Sequence, residues 1–174
     1  MWYLVDMKSR RLILDASTAI LLSKIDLLRV ITDGRPALMC ETAIQEATAR
    51  DCPDAREIRA LLAEGRIAPH PRPDGVEELM RMFRIDRGEA ETIAAAGSAG
   101  AICATDDGPA IRCCRALGVA FTSAIGLLGA LSEASRVDTR LALELLAKLE
   151  RFGRYDSRII EDVARRIRSA GGEA

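Results

Sequence analysis

The sequence is poor in the residues that build most metal and covalent-catalysis sites. It holds a single histidine, His70, in 174 residues. Its five cysteines, Cys40, Cys52, Cys103, Cys113 and Cys114, form no C-x-x-C pair. These two shortages argue against a zinc site. The odd cysteine count and scattered placement point instead to reduced, buried thiols that act as small hydrophobes. His70, flanked by prolines, reads as a surface residue. No apolar run is long enough to span a bilayer. The opening segment MWYLVDMKSRR puts its charges after its apolar residues, the reverse of a secretory signal. No membrane association and a cytoplasmic location are the expectations. The net charge of −1 gives no global field for nucleic acid. The basic residues are nearly all arginine, so a local basic patch stays open.

What is present is an ordinary globular composition, 49% hydrophobic and 29% charged, with no low-complexity segment and no internal repeat. The length suits one domain over 1–174 with a sizeable core. The chain turns on RLILDAST, residues 11–18. Three apolar residues end in Asp15, and a helical pattern opens at Ser17 and Thr18, either of which is a plausible cap. So short an apolar run reads as a buried parallel strand. Ligands of open α/β sheets lie beyond the carboxyl ends of such strands, where Asp15 falls.

Further strands are expected at 37–40, 66–70, 101–105 and 119–121, with residues 2–10 either an edge strand or an arm. Helical patterns cover 17–23, 25–31, 41–50, 55–63, 76–83, 88–97, 109–117 and 125–135. Two amphipathic helices, 140–152 and 157–167, lie in a C-terminal helical extension, 136–174. Alternation of strand and helix predicts an α/β three-layer sandwich with a mainly parallel central sheet.

Two strands end in acids, at Asp15 and at Asp106-Asp107. Two helices carry more, Glu46 in one and Glu89/Glu91 in GEAETIAAA. Glu89 aligns with Ile93 and Ala96 on the face expected to point inward, and Glu91 remains the alternative. In a parallel sheet these acids share one rim, where they repel unless a cation intervenes. Oxygen ligation without histidine or cysteine suits Mg²⁺ or Mn²⁺. Two such ions about 4 Å apart can activate water and stabilise a leaving oxygen in phosphodiester cleavage.

LILDASTAI, then Glu46, DRGEAETIAAA and CATDDGPAIRCCRALGVAFTSAIGLLGAL together resemble the PIN domain family, over roughly residues 11–135. They resemble more narrowly its prokaryotic branch with G-E-A-E and D-D motifs. The resemblance implies a metal-dependent ribonuclease. It assigns Asp15, Glu46, Glu89 and the Asp106-Asp107 pair to the acidic roles, and Ser17 and Thr105 to polar support. Many prokaryotic members are toxins of the VapC type, so RNA as substrate and a small antitoxin as partner are implied. The C-terminal helices offer a surface for an antitoxin or for a homodimer. The chain departs from the branch pattern at Ile111 and Ser123-Ala124, and it lacks a proline before Glu46. The competing reading is a non-catalytic PIN-like interaction module.

Overall fold

The computed structural model describes residues 10–33 and 36–172. The expected edge strand or arm at 2–10 therefore lies almost wholly outside the described residues, as do Gly34 and Arg35 of the turn before the second strand. Five strands form one sheet: β1 (Leu12–Leu14), β2 (Ala37–Cys40), β3 (Ile67–His70), β4 (Ile102–Ala104) and β5 (Phe121–Thr122). Their order is β3-β2-β1-β4-β5, and every pairing is parallel. Ten helices among the described residues cover both faces of the sheet. This is the three-layer α/β sandwich expected of the sequence.

The pleat explains the apolar runs. Successive side chains of a strand point to opposite faces. In β1, Leu12 and Leu14 join one buried cluster while Ile13 joins the other. β4 does the same, with Ile102 and Ala104 on one side and Cys103 on the other. A strand buried on both faces must be apolar at every position, which is what LIL and ICA supply.

The first face is covered by α1 (Ala16–Lys24), α2 (Leu28–Ile31), α3 (Glu41–Thr48) and α4 (Pro53–Ala63). The opposite face carries α5 (Val76–Phe83), α6 (Arg87–Ala99) and α7 (Gly108–Leu117). Completing the first face are α8 (Ala124–Glu133), α9 (Thr139–Phe152) and α10 (Ser157–Ala170). Leu145, Leu146 and Leu149 of α9, with Val163 and Ile167 of α10, belong to the same cluster as Leu12 and Leu14. These two helices thus bury their apolar stripes in the main core.

Two elements differ from the sequence expectation. Residues 25–31 do not continue α1. Asp26 adopts the left-handed region at φ 59°, so the chain turns there and only Leu28–Ile31 is helical. The last strand is Phe121–Thr122 and not 119–121, because Thr105 N–H donates to Thr122 O and draws that residue into the ladder.

Truncation at the sheet centre should be costly. Ile102 is fully buried, whereas Leu117 is 45% exposed. Ile102→Ala is expected to lose roughly 2–5 kcal/mol and Leu117→Ala less than about 0.5 kcal/mol. Urea unfolding of the two variants checks the contrast.

Candidate metal centre at the carboxyl edge of the sheet

The chain runs outward from β1 through β2 to β3, then returns to lay β4 on the other side of β1. The switch in winding falls between β1 and β4, which is where open α/β sheets form their ligand crevice. Asp15 N–H donates to Ala104 O at 2.9 Å, locking the ends of the two strands together. The acids that follow each strand therefore open onto one crevice.

Asp15 is only 4% exposed. It stands at the N-cap position of α1 yet makes no side-chain cap bond to that helix. Ser17 Oγ, inside the first turn, donates to Asp15 Oδ2 at 2.7 Å. Neither Ser17 nor Thr18 caps α1, because the helix begins at Ala16, directly after the strand. Burial raises the Asp15 pKa above the usual carboxylate range; the Ser17 hydrogen bond opposes this, and Asp86 and Asp106 add like charge.

Glu46 stands on the open side of α3, its carboxylate laid against Gly88 of α6. Desolvation raises its pKa, followed by the like charges of Asp86, Asp15 and Glu91. A Cβ built on Gly88 would meet Glu46 Oε2 at 3.0 Å and Oε1 at 3.1 Å. Glycine at this position thus leaves the Glu46 carboxylate room to lie against α6. Gly88→Ala is expected to displace the Glu46 carboxylate with little loss of stability, since the tip of a flexible side chain can move. The measurable outcome is weaker Mn²⁺ binding by calorimetry with an unchanged melting curve in EDTA.

α6 opens with a capping box. Glu89 N–H donates to Asp86 Oδ1 at 3.0 Å, and Asp86 N–H donates to Glu89 Oε2 at 3.1 Å. Glu89 is half-buried, and burial pushes its pKa up to about 7. The cap bond opposes the shift, while Asp86, Asp107 and Asp15 reinforce it. Glu91, by contrast, is only 4% exposed. The face that Glu89 shares with Ile93 and Ala96 points inward, but the Glu91 side of the helix is buried as well. α6 is packed by the sheet and by flanking helices, so Gly88, Ala90, Glu91, Thr92 and Ile93 are all buried. A helix buried most of the way round has no single inward face for periodicity to find.

The Asp pair after β4 divides. Asp107 caps α7, accepting from Ala110 N–H at 2.9 Å, and its own N–H donates to Thr105 Oγ1 at 3.3 Å. Asp106 turns toward α8 and accepts from Thr18 Oγ1 at 2.7 Å, from Tyr155 Oη at 2.5 Å and from Ala124 N–H at 3.1 and 3.2 Å. Burial and the Asp106 charge together push the Tyr155 phenol pKa well up. At Ser123-Ala124, where the chain departs from the branch pattern, Ser123 Oγ caps α8 by accepting from Gly126 N–H. Arg115 lies 5.4 Å from the Phe121 ring centroid.

Cys40, Cys103, Cys113 and Cys114 are buried and all five thiols are free. His70 is half-buried at the end of β3, with Nδ1 at 2.7 Å from Pro71 O. Asp86 was not singled out by the sequence reading, although the D-x-x-E spacing of a capping box marks it. Thr18 and Tyr155 carry no such mark, since only the tertiary fold brings them to Asp106.

Among the described residues, no three His, Cys, Asp or Glu side chains are grouped tightly enough to cage an ion unaided. The donors on the rim are oxygens, and burial together with the neighbouring acids raises their pKa values. That pattern suits a hard cation such as Mg²⁺, which takes one or two carboxylates and completes its shell with water and phosphate.

The raised carboxyl pKa values fix the sign of a pH effect. Between about pH 4.5 and about pH 7 the folded chain keeps a proton on Glu89 that the unfolded chain releases. Stability in EDTA should therefore fall as pH rises through that window. Screening at this half-exposed group limits the loss to about 1 kcal/mol. Asp15 acts in the same direction. Urea midpoints at about pH 5 and about pH 8 test this, and Glu89→Gln should flatten the difference.

Parallel strands, a winding switch beside β1 and acids along the carboxyl edge define an α/β protein whose candidate ligand site is that crevice. A family model described as a PIN domain matches residues 11–170. The chain belongs to the PIN domain family. The match includes α9 and α10. PIN domains are generally nucleases and typically use divalent metal ions, and the family's nucleases bind RNA and often pair with antitoxins. No curated protein and no solved structure matches the chain. No helix among the described residues is long and apolar enough to cross a membrane.

Proposed function

We propose that this protein is a Mg²⁺- or Mn²⁺-dependent endoribonuclease that hydrolyses RNA phosphodiester bonds, the toxin of a toxin–antitoxin pair. The observation that carries the reading is the buried Asp15 carboxylate, held by the first turn of its own helix and sharing a field with Asp86, Asp106, Glu46 and Glu89. Buried like charges are costly unless something neutralises them. A bound divalent ion supplies that charge together with Lewis-acid activation of water and stabilisation of the leaving oxygen. Asp15, Glu46, Glu89 and Asp107 are assigned to hold it, with Asp86 and Glu91 as further acids on the same rim. Ser17 orients Asp15, and Thr105 steadies the turn that carries Asp107.

Asp106, the other acid of the pair, is assigned to hold the rim together, since its oxygens are engaged by three donors. The same engagement favours the second reading, a non-catalytic PIN-like interaction module. Labelled single-stranded RNA incubated with Mn²⁺ or with EDTA separates the two. Cleavage confined to the Mn²⁺ sample is expected, and intact RNA in both overturns the nuclease reading. A short neighbouring reading frame encoding a DNA-binding antitoxin would support the toxin role.

A further inference from the structure

The helical hairpin α9–α10 turns through RFGRYDSR, residues 151–158, where three arginines meet one acid. That acid, Asp156, is already used, because it caps α10 by accepting from Arg158 N–H. Arg151, Arg154 and Arg158 are exposed, and among the described residues no ion pair or side-chain hydrogen bond engages their guanidinium groups. Their neighbours differ. Arg140 pairs with Glu144, Arg165 with Asp162 and Arg166 with Glu133. Three cations left unpaired in one turn form a concentrated positive patch.

The patch is fixed in relation to the acid rim. Tyr155, in the middle of the turn, donates to Asp106 at the carboxyl end of β4. Arg158, with the ion-paired Asp162 and Arg166, lines a cavity of about 230 Å³ together with Ser123 and Gly126. These two flank Ala124, whose N–H also donates to Asp106. Ile125, Ile159 and Val163 give the cavity apolar walls. The first amides of α8 are spoken for by Asp106 and Ser123, so the arginines and not the helix end supply the positive charge.

We infer that the α9–α10 turn is a phosphate grip for single-stranded nucleic acid. Arg154 and Arg158, with Arg151 behind them, hold backbone phosphates of the strand next to the acid rim, and a base or sugar rests against the apolar walls of the cavity. Tyr155 keeps the grip in register with the rim. The choice of RNA as the strand rests on the nuclease reading, whereas the polyanion site does not. A polyanion approaching a crevice lined with carboxylates is repelled, and adjoining arginines offset that repulsion.

Fluorescence anisotropy of a labelled single-stranded RNA with the full chain in EDTA, from about 50 to about 200 mM KCl, tests the inference. The double variant Arg154→Gln/Arg158→Gln should bind about tenfold more weakly and lose about 1.4 from the slope of log affinity against log salt, two phosphate contacts at about 0.7 each. Arg56→Gln, at a residue paired with Asp51 on α4, should leave both unchanged. Because the substituted side chains are exposed, the melting curves should coincide. Wild-type affinity and slope in the double variant would overturn the grip. So would a wild type with no RNA affinity at about 50 mM KCl, an outcome that turns the patch toward an acidic protein face. Cleavage of the same RNA in Mn²⁺ is scored separately. Binding through these arginines without cleavage would sink the nuclease reading and leave the grip standing. Cleavage by a double variant that binds like wild type would sink the grip alone.

Discussion

Asp15→Asn is expected to lower Mn²⁺-dependent RNA cleavage by about a thousandfold or more, equivalent to about 4 kcal/mol of transition-state stabilisation. The substitution keeps the size of the side chain and leaves an oxygen to accept from Ser17 Oγ. What it removes is one negative charge at a position only 4% exposed. Two effects should therefore separate. In EDTA the variant should be as stable as wild type or more so, because a desolvated charge has gone. With Mn²⁺ added, the rise in melting temperature produced by ion binding to the folded state should shrink or vanish. Equal cleavage by wild type and variant would end the nuclease reading. Loss of activity accompanied by a lower melting point in EDTA would point to a folding defect instead.

The second large effect is expected at Asp106. Asp106→Ala leaves Thr18 Oγ1, Tyr155 Oη and Ala124 N–H without their common acceptor. Unpaired buried donors cost about 1–3 kcal/mol each, and a total of about 3–5 kcal/mol is expected here. Asp107→Ala removes one cap bond, to Ala110 N–H, and should cost about 1 kcal/mol. At about 3 °C per kcal/mol for a chain of this length, the melting points should fall by about 10 °C and about 3 °C. Activity should rank the other way per unit of stability lost, with Asp107→Ala the more damaging. Similar melting points for the two variants would show that Asp106 does not join α1, α8 and the C-terminal hairpin as described.

Most of the framework was legible in the chain because its strands are buried on both faces. LIL and ICA, apolar at every position and closed by polar residues, fit a central strand, and Val76–Phe83 is bounded by a turn on each side. Asp15 was legible for the same reason, as a carboxylate directly after an apolar run. The break at Asp26 was not, since an apolar stripe continues across it and the left-handed turn shows only in the backbone. The facing of Glu89 and Glu91 was not legible either, because α6 is enclosed on several sides. Nor could spacing separate Asp106 from Asp107. Their different roles depend on Thr18, 88 residues earlier, and on Tyr155, 49 residues later.

Those separations matter while the chain is being made. When β1 leaves the ribosome, its partner β4 has yet to be synthesised, and Leu12 must wait for Ile102. Long-range pairings of this kind close late, so a nascent chain carries Asp15 without the neighbours that would complete an ion site. The hydrogen bond from Tyr155 arrives later still. The acid rim is therefore among the last parts of the fold to be assembled, after β4 and then the α9–α10 turn have been added.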